Sequence, residues 1–176
     1  MGLNATKVGL DLVRLGRDLS FTPEDQAKVK EIVARYPADQ RASAIMPVLW
    51  LAQERFRFLS QEAIDLIARS IDVPPAEVAA VASFYTMYHL EPVGKYVIQM
   101  CCTLSCSIMG AERVFAHMER RLGIKAGETT PDGKFTLKKV ECLAACGYAP
   151  MLQINERKFD ERLDEAAVDR LLDGLS

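Results

Sequence analysis

The sequence predicts an α+β protein, with an N-terminal four-helix bundle followed by a small C-terminal α/β layer. Three observations carry that expectation. Helix punctuation recurs four times before residue 91, whereas runs of strand formers begin only at Lys95. All five cysteines fall in two short windows of the second half, Cys101, Cys102 and Cys106, then Cys142 and Cys146, each just after a strand-forming run. The expected boundaries are an arm over 1–20, a helical domain over 21–91 and a cysteine-bearing domain over 92–176.

The arm carries Gly9 and Gly16, which work against a stable helix, so it reads as weakly ordered or as a docking segment. Thr22-Pro23-Glu24-Asp25 then supplies a capping side chain, a proline at the first helical position and acids against the positive helix end. Val29, Ile32, Val33 and Tyr36 follow at helical spacing, and Pro37 closes the segment. A second helix is expected from Ser43 to Phe58, with Ile45, Leu49, Ala52 and Phe56 on one stripe and Pro47 tolerated in the first turn. A third starts at Ser60 and carries Ala63, Ile64, Ile67 and Ile71. Pro74-Pro75 opens a fourth, which is expected to run through Val78, Val81 and Ala82 into Phe84–Tyr88. The aromatic residues Trp50, Phe56, Phe84, Tyr85 and Tyr88 read as core.

Beyond Glu91-Pro92-Val93-Gly94 the pattern changes. Strands are expected at Lys95–Met100, Phe135–Val140, Met151–Ile154 and around Lys158-Phe159, with a turn at Asn155-Glu156. Helices are expected at Ile108–Leu122, with Val114, Phe115, Met118 and Leu122 inward, and at Leu163–Leu172. The resulting order is β-α-β-β-β-α.

Composition excludes several classes. A net charge of -2 leaves no basic footprint for nucleic acid. No apolar run approaches the roughly 20 residues of a spanning helix, so direct membrane insertion is not expected. No charged-then-apolar signal segment opens the chain; Met1-Gly2-Leu3-Asn4-Ala5-Thr6 fits only the loose acylation pattern. The expected location is therefore cytoplasmic, where thiols stay reduced and clustered cysteines read as metal-binding. No glycine-rich phosphate loop, nucleophile–base pair or acid–base carboxylate pair is present, so the chain has no complete active site of its own for NADH or flavin.

Burial imposes no spacing on cysteines, whereas four thiolates closing on a metal centre do. Two groups delivered at strand ends suit a rigid four-thiolate cage for an iron–sulfur cluster, most simply [2Fe–2S]. Leu104, Ile108, Leu143 and Ala144 are expected to limit water around it. Structural zinc prefers C-x2-C knuckles, and a dithiol reductase needs C-x-x-C; neither spacing occurs. A Rieske centre needs two histidines, and His89 and His117 stand in neither cysteine loop. Five thiols compete for four places: spacing alone permits either Cys102 or Cys101 beside Cys106, with Cys142 and Cys146 as the second pair.

The run C-x4-C followed by C-x3-C resembles the 24-kilodalton-type [2Fe–2S] subunit of the NADH dehydrogenase module of respiratory complex I. The likeness extends to Pro47-Val48-Leu49 with Gln53, to Phe84-Tyr85-Thr86-Met87 and to Ala149-Pro150. It implies a thioredoxin-like C-terminal domain and a cluster on Cys101, Cys106, Cys142 and Cys146, with Cys102 where the family has a small residue. It also implies a larger partner flavoprotein that binds FMN and NADH, further peripheral-arm subunits, and a place peripheral to the inner membrane. The implied role is electron transfer within NADH:quinone oxidoreductase. Equivalent subunits of NAD-reducing hydrogenases or formate dehydrogenases, and a free-standing ferredoxin, are the alternatives. One departure stands out: Ala144 replaces the glycine of the family's second loop. If that position needs positive φ, alanine there is strained and the cluster potential is affected.

Overall fold

The computed structural model describes residues 12–155 and 158–175. The pattern at Met1–Thr6, Gly9 and the turn residue Glu156 lie outside the described residues. Helices combine with one four-stranded sheet, so the class is α+β, and the chain divides between Pro92 and Val93 into two compact units.

In the first unit, α1 (Pro23–Val33) begins with the expected capping box, in which Thr22 and Asp25 satisfy each other's backbone donors. α2 (Ile45–Phe56) is preceded by a tight turn at Arg41–Ala44, so it starts two residues later than expected. Pro47 falls in its first turn, where the missing N–H has no helical partner to lose. Arg57, in the left-handed conformation at φ 73°, ends α2 before Phe58. α3 (Gln61–Ile71) is capped by the Ser60 side chain, and α4 (Pro75–Phe84) follows Pro74.

These helices share one apolar core that includes Val48, Leu49, Ala52, Leu59, Ile64, Ile67, Ile71 and Val78. The buried Gln53 fastens it to the next segment: its Nε2 donates to the Met87 carbonyl at 2.9 Å and its Oε1 accepts from the His89 N–H at 2.6 Å. α4 stops at Phe84 because Tyr85 turns extended, at φ -94° and ψ 120°. Phe84 and Tyr85 are exposed, against the expectation that they join the core, while Tyr88 is buried. Residues 12–22, ahead of α1, are non-helical, as Gly16 implied, but they are tied down. Glu62 accepts from the N–H groups of Leu15 and Gly16, and these bonds, Leu15's first, hold its carboxyl at about 2, well below the usual range.

In the second unit the sheet order is β2-β1-β3-β4. β1 (Tyr96–Cys101) lies parallel to β2 (Phe135–Val140), with Cys101 opposite Val140. β3 (Leu152–Ile154) is antiparallel to β1, and β4 (Lys158–Asp160) is antiparallel to β3. At the start of β1 the chain passes so close to β2 that a Cβ on Gly94 would stand 2.9 Å from the Phe135 carbonyl carbon; only glycine fits.

The helix expected over Ile108–Leu122 starts three residues later, at Ala111, and a short helix that the sequence did not announce precedes it. A short α5 (Leu104–Ile108) ends before Gly110, which at φ 95° takes a backbone few other residues tolerate, and α6 (Ala111–Leu122) begins after it. The closing α7 (Glu165–Gly174) starts at an Asp164 cap. Ile98, Met100, Val114, Phe115, Met118, Leu137, Leu152 and Val168 form the core beneath the sheet and helices. This packing holds the ends of β1 and β2, and therefore both cysteine loops, at the same edge.

Candidate metal centre

The first cysteine is the last residue of β1 and is only 2% exposed. Its N–H donates to the Met151 carbonyl at 3.2 Å, which fixes the strand end against the segment following the second loop. Cys106 lies in α5, on the face opposite the solvent, and is also 2% exposed. Cys142 follows β2 and Cys146 opens a short turn at Cys146–Tyr148; both are exposed. The loop then leaves through the Ala149–Pro150 peptide, which is cis.

The structure brings these four sulfurs into one neighbourhood. Cys142 Sγ and Cys146 Sγ stand 3.6 Å apart. Two thiolates sharing one tetrahedral metal at about 2.3 Å lie roughly 3.8 Å apart, so this pair is close to ligand spacing. A hydrogen bond links Cys101 and Cys106, and the charge of Cys146 reaches Cys106. The Leu143 N–H of the second loop donates to Cys101 in the first, so each loop helps to position the other. Among the described residues no three His, Cys, Asp or Glu side chains converge on one single-ion position. The Cys142 and Cys146 sulfurs form one close pair, and Cys101 and Cys106 interact as another.

Backbone donors surround the sulfurs. Ala144 N–H donates to Cys142 Sγ at 3.3 Å, and the Met151 N–H donates to Cys106. Cys101 Sγ is 3.3 Å from Thr103 Oγ1 and also receives the Thr103 N–H. Burial pushes the Cys101 thiol up, but these bonds from Thr103 and Leu143 outweigh it and hold the group below the ordinary thiol value. Burial, then the bond to Cys101, pushes Cys106 up to about 11. Cys102 is turned elsewhere: its thiol faces the Met100 carbonyl at 3.5 Å, and burial together with the nearby Glu112 raises it.

Ala144 does adopt positive φ, at 63°. The conformation that would suit glycine is therefore present with a Cβ in place. The expected apolar wall is absent on one side. Leu104 is 76% exposed and Ile108 is 74% exposed, because they sit on the face of α5 opposite Cys106. Ala144 is exposed as well, and only Leu143 packs partly against the core. The histidines are engaged elsewhere: His117 Nε2 pairs with Asp169 at 2.9 Å, between α6 and α7, and His89 is buried beside Gln53. Sequence reasoning missed Thr103 as a site residue. Its position as the first capping type after Cys102, ahead of a short helix, was the available signal.

A sequence model of the thioredoxin-like [2Fe–2S] ferredoxin family matches residues 29–176. The chain belongs to that family. It is 42% identical over 157 residues to NADH-quinone oxidoreductase subunit 2 of Thermus thermophilus, covering 89% of this chain and 87% of that one. An NADH-quinone oxidoreductase subunit of Rhizobium meliloti is 42% identical over 148 residues, covering 84% of this chain and 86% of its own. Among solved structures the chain is similar to an NAD+-reducing [NiFe]-hydrogenase in the air-oxidised state, with TM-score 0.68 and 27% identity over 77% of this chain. That alignment spans 23% of the hydrogenase chain. As a member of its family the chain carries a [2Fe–2S] cluster, and its clustered thiols fit one in number, pairing and donor chemistry. No described helix is long and apolar enough to cross a membrane.

Proposed function

We propose that the chain is the electron-transfer subunit of an NADH:quinone oxidoreductase, with Cys101, Cys106, Cys142 and Cys146 as the cluster ligands. The observation that carries this reading is the convergence of those four sulfurs from two loops distant in sequence, with Cys102 turned to Met100. When bound, the cluster supplies a one-electron store. The chain's own residues hold it: the buried Cys101 and Cys106 anchor one side, and the exposed Cys142 and Cys146 leave the other side near the surface. Long-range electron transfer needs such a short approach to a partner, so a shallow site suits a relay.

The partner is a larger flavoprotein that oxidises NADH at FMN and exchanges electrons with this cluster. Exposed Leu104, Ile108, Met109 and Tyr148 around the cysteine loops provide an apolar surface for it. The domain boundaries expected from the sequence, 21–91 and 92–176, separate the two tasks. The four helices, as a bundle, with Phe84 and Tyr85 exposed at the end of α4, dock the chain among the other peripheral-arm subunits. In the cell the chain then lies on the cytoplasmic side, peripheral to the membrane.

The hydrogenase likeness supports a second reading, an equivalent subunit of an NAD-reducing hydrogenase. The quinone oxidoreductase reading has the stronger support, since 42% identity runs over nearly the full length of both chains. Anaerobic purification with iron and labile-sulfide assays tests the cluster. About two irons per chain and a rhombic S = 1/2 signal after dithionite are expected. Affinity capture of the tagged chain from its own cells tests the assembly: an FMN protein with quinone reductase subunits supports the first reading. A nickel-containing subunit supports the second, and a chain isolated alone with a full cluster leaves only a free ferredoxin.

A further inference from the structure

Thr103 occupies the N-cap of α5, with extended backbone at φ -86° and ψ 176°. A threonine there ordinarily spends its hydroxyl on an N–H two or three residues ahead. Thr103 makes no such bond. Its Oγ1 instead lies 3.3 Å from Cys101 Sγ. A five-residue helix has thus given up its side-chain cap, and the hydroxyl has been directed backwards onto a sulfur.

We propose that Thr103 is a positioning residue that raises the reduction potential of the cluster by donating a hydrogen bond from its hydroxyl to the Cys101 sulfur. The inference rests on Cys101 being a ligand. A free thiol could itself be the donor in this contact. A sulfur bound to iron has lost its proton and can only accept, so the hydroxyl must donate. An added electron makes the sulfur a stronger acceptor, so the bond favours the reduced form.

Among the described residues the proposed ligand sulfurs also receive backbone N–H groups, those of Thr103 and Leu143 on Cys101, Met151 on Cys106 and Ala144 on Cys142. No side-chain replacement removes those. The Thr103 hydroxyl can be removed while the backbone stays in place.

The test is an EPR-monitored redox titration of the full chain with its cluster, comparing wild type with Thr103→Val and Thr103→Ser. Thr103→Val keeps the shape and loses the donor. It should load iron and sulfide normally, yet shift the reduction equilibrium about tenfold toward the oxidised form, a fall of ~59 mV for one electron. Thr103→Ser keeps the donor and should stay close to wild type. A fully loaded Thr103→Val with unchanged potential overturns the inference, as does a Thr103→Ser as low as Thr103→Val. If Thr103→Val fails to load, Thr103→Ala carries the same expectation. Loss of the cluster in both would make Thr103 structural and overturn the tuning role. An iron-free wild type would instead overturn the cluster reading beneath it.

Discussion

The two cysteine loops present the same thiol chemistry in opposite settings. The first grows from the end of β1, places Cys101 and Cys106 in the core, and is secured by Met151 and by α5. The second follows β2 into an exposed turn, holds Cys142 and Cys146 near the surface, and depends on a residue in the left-handed region. The difference teaches that the site is anchored on one side and presented on the other. The buried pair shares its stability with the domain core, because β1 and α6 pack on the same residues. The exposed pair is shaped mainly by local backbone, and it is the side that a partner can approach.

The largest effect should come from the proposed ligands. Cys101→Ser is expected to abolish the S = 1/2 signal or reduce iron to a small fraction of that in wild type, whereas Cys102→Ser should keep both. A serine oxygen is a poorer partner than thiolate for iron, and Cys101 has neighbours from both loops that Cys102 lacks. If Cys102→Ser loses the cluster and Cys101→Ser keeps it, the anchoring assigned to the first loop is wrong.

A smaller effect should separate anchoring from presentation without touching a ligand. Met100 is fully buried directly before Cys101, and Met100→Ala should cost about 2–5 kcal/mol of folding stability through lost burial and an unfilled cavity. Leu143, half-buried between Cys142 and Cys146, has far less to lose, and Leu143→Ala should cost about 1 kcal/mol or less. Denaturant unfolding of the cluster-free proteins reads both midpoints. Equal losses would mean that the second loop is as deeply tied to the core as the first.

Much of this was legible in sequence, for physical reasons. Strand β2 at Phe135–Val140 and the stripe Ala63, Ile64, Ile67, Ile71 appear as expected, because strand-forming composition and helical spacing are read from local sequence. Spacing alone left Cys101 and Cys102 open as partners of Cys106, and the choice of Cys101 comes from the family resemblance. The failures lie where tertiary context decided. Nothing local to Leu104 and Ile108 tells that α5 turns them outward, since apolar residues four apart can face core or solvent alike. The helix expected from Ile108 starts only at Ala111, because the left-handed backbone of Gly110 lets the chain turn between α5 and α6. The Thr103 hydroxyl was hidden because a capping residue is read forward along its helix, and this one points back.

The smallest effect concerns Ala144, where the second loop's local character can be isolated. At φ 63° its Cβ crowds the backbone, a conformation that costs an L-residue about 1–2 kcal/mol. Glycine removes the crowding but gives the unfolded chain more freedom, worth about 0.5–1 kcal/mol in the opposite direction. Ala144→Gly should therefore stabilise the cluster-free protein by about 0.5–1 kcal/mol, seen as a higher denaturant midpoint with an unchanged slope. The N–H that reaches Cys142 Sγ survives the change, so the iron content should not fall. A lower midpoint would show that the Ala144 methyl makes contacts worth more than its backbone strain. The second loop would then be held by packing, as the first is, and the contrast between the two would fail at the residue where it is sharpest.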